Sequence, residues 1–159
     1  MSSPGVVLNK KTNARTAEQV SEIMRRVHSR DTQPEMALIR ALRKAGFRFK
    51  THASHLRGKP DLVFPLKKLA IFIDGDFWHG IQWRRRGFRS LTAQFIEANH
   101  KKYWISKILR NVRRDFRNTT QLIDSGWWVL RFWETDVVRN LERCIEMLAR
   151  AMRRECNDS

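Results

Sequence analysis

Leu69-Ala70-Ile71-Phe72-Ile73 is a run of five residues without a polar side chain, and it ends on Asp74-Gly75-Asp76. Five residues are too few for a buried helix but make a full strand, and a strand apolar on both faces must be covered on both. It therefore belongs inside a sheet with helical layers around it, in a mixed α/β architecture. Two runs rich in β-branched and aromatic residues precede it, at 47–51 and 61–64, separated by a basic loop with His52, His55 and Gly58. With a turn at Pro65, the three read as adjacent strands, and residues 127–133 read as a fourth.

Helical patterns surround these runs. A short helix is expected over about 18–27. A second starts at Thr32, where Glu35 stands at capping-box spacing and Pro34 occupies the permissive first turn; its stripe of Leu38, Leu42 and Ala45 stops at Gly46. From about Leu91 a long helical stretch, broken near Asn99, runs to Ile123. Ile105, Leu109, Val112, Phe116 and Ile123 follow the spacing of a core face, while Trp104, Asn111 and Asp115 share a neighbouring face that is free to meet a ligand. Leu141, Ile145, Leu148 and Met152 mark a final amphipathic helix. The order lacks regular βα alternation and a glycine-rich phosphate loop, which argues against a doubly wound cofactor fold. Residues 1–17 read as a flexible basic arm and 18–155 as one domain, since 159 residues suffice for a single core.

Charge narrows the partner. Thirty-two Lys and Arg against 16 Asp and Glu give a net +16, which opposes compaction and attracts polyanions, nucleic acid foremost. Charge does not separate an enzyme from a passive binder. Cys144 and Cys156 are the only cysteines and both lie near the end, so neither a disulfide framework nor a cysteine-based zinc cluster is supported; a reducing cytoplasm fits. No segment has the length of a membrane span or the form of a signal peptide.

The residues that suggest chemistry bracket the second and third strands. Asp61 opens one strand, and Asp74, Asp76 and His79 follow the end of its neighbour. Carboxylates so placed can hold a hard divalent cation through oxygen, with a base beside it, and hydrolysis of a phosphodiester uses both. Each residue also has a plainer reading. Asp61 after Pro60 suits a turn, Asp74-Gly75-Asp76 suits a hairpin, and a single histidine is commonly structural; their joint appearance favours chemistry. Phe77 and Trp78 would need an unusual local turn to bury both rings, but they could stack on or between bases. Trp104 either joins them or packs in the core, and Arg84, Arg85 and Arg86 could clamp phosphates.

IMRRVHSRDTQPEMAL (23–38), GKPDLVF (58–64), IFIDGDFWH (71–79), KKYWISKILRNVRRD (101–115) and GWWVLRFWE (126–134), in this order and spacing, resemble the very short patch repair endonucleases. These enzymes nick DNA beside a T:G mismatch, and their wider relatives include homing endonucleases with a Glu, Asp, His, Asp series. The resemblance spans about residues 20–135. It implies a restriction-endonuclease-like α/β core, a mixed central sheet flanked by helices. By position it implies Asp61 as a Mg²⁺ ligand with the carbonyl of Ile73, His79 as general base, Asp115 as the carboxylate paired with a histidine or holding metal-bound water, and Glu35 as a helical glutamate near the site. Glu35 has its capping role besides. Phe77, Trp78 and Trp104 fall where the repair enzymes carry aromatics that wedge into the duplex, and Asn111 either supports the site or contacts the DNA backbone.

Two departures qualify this. Asp76 and Ile81 replace a cysteine and the histidine of the repair enzymes' structural zinc site, so zinc is not expected. Asp74 replaces a second active-site histidine and could itself ligand magnesium. The implied function is Mg²⁺-dependent strand-specific nicking of double-stranded DNA near a T:G mismatch, by a monomer in a bacterial or phage cytoplasm, at the nucleoid. The alternatives are a divergent homing or defence endonuclease, dimeric if it cuts both strands, and a non-catalytic DNA-binding protein that uses the aromatic wedge.

Overall fold

A computed structural model describes residues 31–98 and 100–154. The basic arm at 1–17, the helix expected over 18–27 and the break placed at Asn99 lie outside the described residues. The elements are α1 (Gln33–Lys44), β1 (Lys50–Thr51), β2 (Leu62–Phe64), a 3₁₀ turn (Pro65–Lys67), β3 (Leu69–Asp74), α2 (Gln82–Arg85), α3 (Leu91–Gln94), α4 (Lys101–Asp124), β4 (Trp128–Trp133), α5 (Glu134–Arg139) and α6 (Leu141–Arg154). They form a mixed sheet flanked by helices, the core expected of a restriction-endonuclease-like fold.

The sheet order is β1-β2-β3-β4, with β1/β2 and β2/β3 antiparallel and β3/β4 parallel. Burial of β3 explains its composition, because only Ile73 of its six residues escapes full burial. The 47–51 run forms a strand only at its last two residues. Lys50 pairs with Val63, so Arg48 stands opposite Pro65, which has no N–H to donate. Phe47 and Phe49 instead pack their rings on Phe64, at 6.2 and 5.7 Å between centroids.

Side-chain alternation sorts the sheet into two faces. Leu69 and Ile71 join Leu62, Phe64 and Phe132 against Leu38, Ile39 and Leu42 of α1, Val137 of α5 and Leu148 of α6. Ala70 and Phe72 join Val63 and Ala53 on the opposite face, against Leu122 of α4. The same alternation directs Asp61, Asp74 and Arg131 to the α4 side. Helix α1 starts as its sequence dictates: Thr32 is extended, its hydroxyl accepts from Glu35 N–H, and Pro34 occupies the first turn.

Helix α4 corrects the expected core. Leu109, Val112, Phe116 and Ile123 are exposed, Phe116 to 72%, whereas Ile108 and Leu122 are buried. Buried contacts thus fall on the face that also carries Asn111 and Asp115. The spacing identified an apolar stripe correctly but assigned it to the wrong surroundings, since a hydrophobic stripe states a preference for burial and not what is available to cover it. Short α2 and α5 were not expected; α5 follows β4 directly and buries Val137. Among the described residues, no helix is long and apolar enough to cross a membrane.

Candidate active site

The ends of β2 and β3, the 75–81 loop and the middle of α4 enclose a cleft of about 580 Å³ lined by Glu35, His52, Lys59, Asp61, Asp74, His79, Arg114, Asp115, Asn118 and Arg131, among others. Glu35, Asp61, Ile73, Asp74, His79 and Asp115 of the sequence reading all line it.

His79 is placed by a turn that leaves the end of β3, in which its N–H donates to the carbonyl of Gly75 at 3.1 Å. This turn lies tight on α4. A Cβ on Gly80 would stand 3.2 Å from Ile108 and 3.3 Å from Val112, and its φ of +80° is one that glycine tolerates best. Asn111 Nδ2 donates to the Trp78 carbonyl at 3.2 Å and ties the same turn to the helix. His79 Nδ1 then meets Asp115 Oδ2 at 2.5 Å. With Nδ1 protonated in that bond, Nε2 keeps the lone pair of a base.

Asp115 is partly buried, which alone would raise its pKa. The hydrogen bond from His79 and the charges of His79, Arg114 and Arg131 outweigh burial and hold the carboxyl below its ordinary range. Arg114 contacts Asp115 Oδ1 through Nε and Nη2 at 3.3 and 3.2 Å.

Asp61 shows the opposite balance. Its N–H donates to the Ile71 carbonyl, and its Oδ2 accepts from Ile73 N–H at 2.7 Å. Burial, reinforced by the charges of Glu35 and Asp74, nonetheless pushes its pKa up to about 6. Glu35 is 4% exposed; it accepts from Asp31 N–H at 2.8 Å and from the Thr32 hydroxyl at 3.0 Å. It caps α1 and lines the cleft with the same carboxylate.

Among the described residues, no group of three or more His, Cys, Asp or Glu side chains is arranged to hold a metal ion. A Mg²⁺ ion needs less, because it keeps several waters and is typically bound by one or two carboxylates. Asp61 fits this demand: its hard oxygens are buried beside the charges of Glu35 and Asp74, and an added cation would favour the ionised form that burial disfavours. The carbonyl of Ile73 points toward the same edge of β3 as the N–H that Asp61 receives.

Asp74 arrives in the cleft already paired. Arg131 Nε and Nη2 donate to its two oxygens at 2.6 Å each, and His79 Nδ1 lies 3.5 Å from Oδ1. The sequence reading passed over Arg131. A lone arginine in the otherwise apolar run of β4 was the available signal, since a charge in such a strand requires an acidic partner. His52, Lys59, Arg114 and Asn118 were also missed, because loop residues and helix positions meet in the cleft only through tertiary folding.

Asp76, one glycine beyond Asp74, faces elsewhere. It accepts from the Thr135 hydroxyl at 2.6 Å and pairs with Arg85 at 3.0 Å, and its N–H donates to Glu134. These bonds fasten the loop to the start of α5. Arg85 also pairs with Asp136 at 2.9 Å, so of the three expected phosphate clamps it is held by carboxylates. Arg86 is exposed, and Arg84 lies over the Trp83 ring at 5.0 Å.

Phe77, Trp78 and Trp104 form one half-buried cluster, with centroids 4.8 to 6.0 Å apart. Phe95 abuts Phe77 at 6.0 Å, and the Lys107 ammonium lies 4.9 Å from the Trp78 ring. The cluster adjoins His79 through the chain itself.

The family described as DNA mismatch endonuclease Vsr matches residues 12–85. The chain is 42% identical over 138 residues to the type II nicking enzyme V.NmeDIP of Neisseria meningitidis serogroup C, covering 87% of this chain and 88% of that one. It is 38% identical to the type II nicking enzyme V.HpaIIP of Haemophilus parainfluenzae, over 80% of this chain and 86% of that enzyme. Identity to the DNA mismatch endonuclease Vsr of Escherichia coli is 33%, over 72% and 68% of the respective chains.

Proposed function

The chain belongs to the Vsr family of nicking endonucleases, and from that premise we propose that it is a Mg²⁺-dependent enzyme that nicks one strand of double-stranded DNA near a T:G mismatch. The observation that carries the chemistry is His79, fixed through Nδ1 by Asp115 and facing the same cleft as Asp61.

Asp61 and the Ile73 carbonyl would hold Mg²⁺, which when bound would supply positive charge to offset that of the phosphate. His79 Nε2 takes the proton from the attacking water. As the water oxygen attacks phosphorus, the bond to the 3′ oxygen breaks, giving a 5′-phosphate and, after protonation from solvent, a 3′-hydroxyl. Asp115 fixes the ring orientation and stabilises the imidazolium that forms. Asp74 holds Arg131 rather than a cation. Phe77, Trp78 and Trp104 enter the duplex at the weakened base pair, where stacking contributes about 1–3 kcal/mol per base. Arg84 and Arg86 contact the DNA backbone.

The test is nicking of end-labelled duplexes, one matched and one for each mismatch. T:G preference supports the repair role; cutting of a matched site alone supports the divergent homing or defence reading. Asp61→Ala and His79→Ala abolish cutting while retaining most DNA binding, and undiminished cutting by either purified variant overturns the assignment. Mg²⁺ affinity of the free protein should fall about tenfold per pH unit below about 6, where a proton competes for Asp61.

A further inference from the structure

We propose that Arg131 is a phosphate-binding residue of the active site, held by Asp74 and Thr119 so that its guanidinium meets the scissile phosphate. The proposal rests on the endonuclease reading. It adds to that reading a residue from the middle of an apolar strand.

The guanidinium is fixed from three sides. Asp74 receives Nε and Nη2, Thr119 Oγ1 receives Nη1 at 3.0 Å, and the Phe72 ring lies 4.5 Å from Cζ. Arginine has five N–H donors, one on Nε and two on each Nη. The described residues engage three of these, which leaves one N–H on Nη1 and one on Nη2. Arg131 lines the cleft and is a quarter exposed, so these donors border space that a phosphate can enter.

Its position relative to the base supports the role. Arg131 Nη2 lies 2.6 Å and His79 Nδ1 3.5 Å from the same oxygen, Asp74 Oδ1. Arg131 and the His79 ring thus meet at one carboxylate, and both line the cleft that the phosphate enters. A planar donor pair locked by packing suits a tetrahedral oxyanion, because no side-chain freedom is lost on binding. Asp74 serves to aim Arg131, and β4 supplies the guanidinium from beneath the cleft.

The competing explanation is that Arg131 only balances the buried charge of Asp74. The double substitution Asp74→Asn with Arg131→Gln leaves local net charge unchanged and separates the two. Binding to an intact duplex without divalent metal is measured across salt concentrations, with single-turnover nicking and thermal melting in parallel. If Arg131 contacts phosphate, both Arg131→Gln and the double variant lower the slope of log affinity against log salt by about 1. Their nicking falls about 100-fold or more, and Arg131→Lys keeps the slope while losing part of the rate. A double variant that matches the parent in slope and rate overturns the proposal. If Arg131→Gln fails to fold, the charge-matched double variant decides. A parent protein that binds DNA without nicking it would instead overturn the endonuclease reading, and the salt slopes would still report on Arg131.

Discussion

Helix α4 presents two faces of nearly opposite meaning. Its inner face runs through Ile108, Asn111, Asp115, Thr119 and Leu122, and every one of these contacts the sheet or the 75–81 loop with its His79. Its outer face carries Leu109, Phe116 and Ile123, all exposed, interleaved with Arg110, Arg113 and Arg117, with Val112 at the border beside Gly80. The inner face is the less apolar of the two and yet holds the helix in place. Its few buried side chains at the ends anchor the helix, and the polar ones between them reach Trp78, His79 and Arg131.

Substitutions along this one helix test the contrast. The largest effect is expected at Asp115→Ala, where single-turnover nicking drops about 100-fold or more, while Phe116→Ser, one residue away, leaves it unchanged. Equal rates for the two would erase the distinction. Next is Ile108→Ala, which should lower unfolding free energy by about 3 kcal/mol in denaturant titrations. Leu109→Ala should cost less than about 1 kcal/mol, since its side chain already meets water.

A smaller, pH-dependent difference is expected between the parent and Asp115→Asn. The folded state depresses the Asp115 pKa, so ionised Asp115 stabilises the fold above its unfolded pKa, and this stability is lost as pH falls through the folded value. Denaturation at neutral pH should separate the two proteins, and at pH values below the folded pKa that separation should close. Asn111→Ala removes the donor to the Trp78 carbonyl and should cost about 1 kcal/mol. Because that bond holds the loop carrying His79, cutting should fall more than stability does. The smallest effect is at Phe116→Ser, expected within about 0.5 kcal/mol of the parent; a larger loss would show that the outer stripe is covered in solution.

Much of the architecture was legible because short-range physics dictated it. The β3 run could only be an interior strand, and the strand covers its five apolar residues and Asp74. Thr32, Pro34 and Glu35 fixed the start of α1, since caps are decided within a few residues. The 47–51 run failed as a strand because its partner reaches a proline, a matter of register rather than local preference. Asp61 and His79 were singled out by local chemistry and resemblance together and Asp115 mainly by resemblance, whereas Arg131 looked like an anomaly in an apolar strand until Asp74 stood beside it.

The sequence by itself determined where β2, β3, β4 and the longer helices lie, that the net charge suits a polyanion, and which acids and histidine stand next to strand ends. Periodicity, capping and net charge act over a few residues or over the whole chain, and both can be read without coordinates. Tertiary structure alone decided which face of α4 turns inward, that Asp74 meets Arg131 while Asp76 meets Thr135 and Arg85, and that burial of Asp61 beside Glu35 and Asp74 raises its pKa. These outcomes depend on which segments far apart in the chain stand within a few ångströms of each other, and electrostatic and packing energies are set at that range.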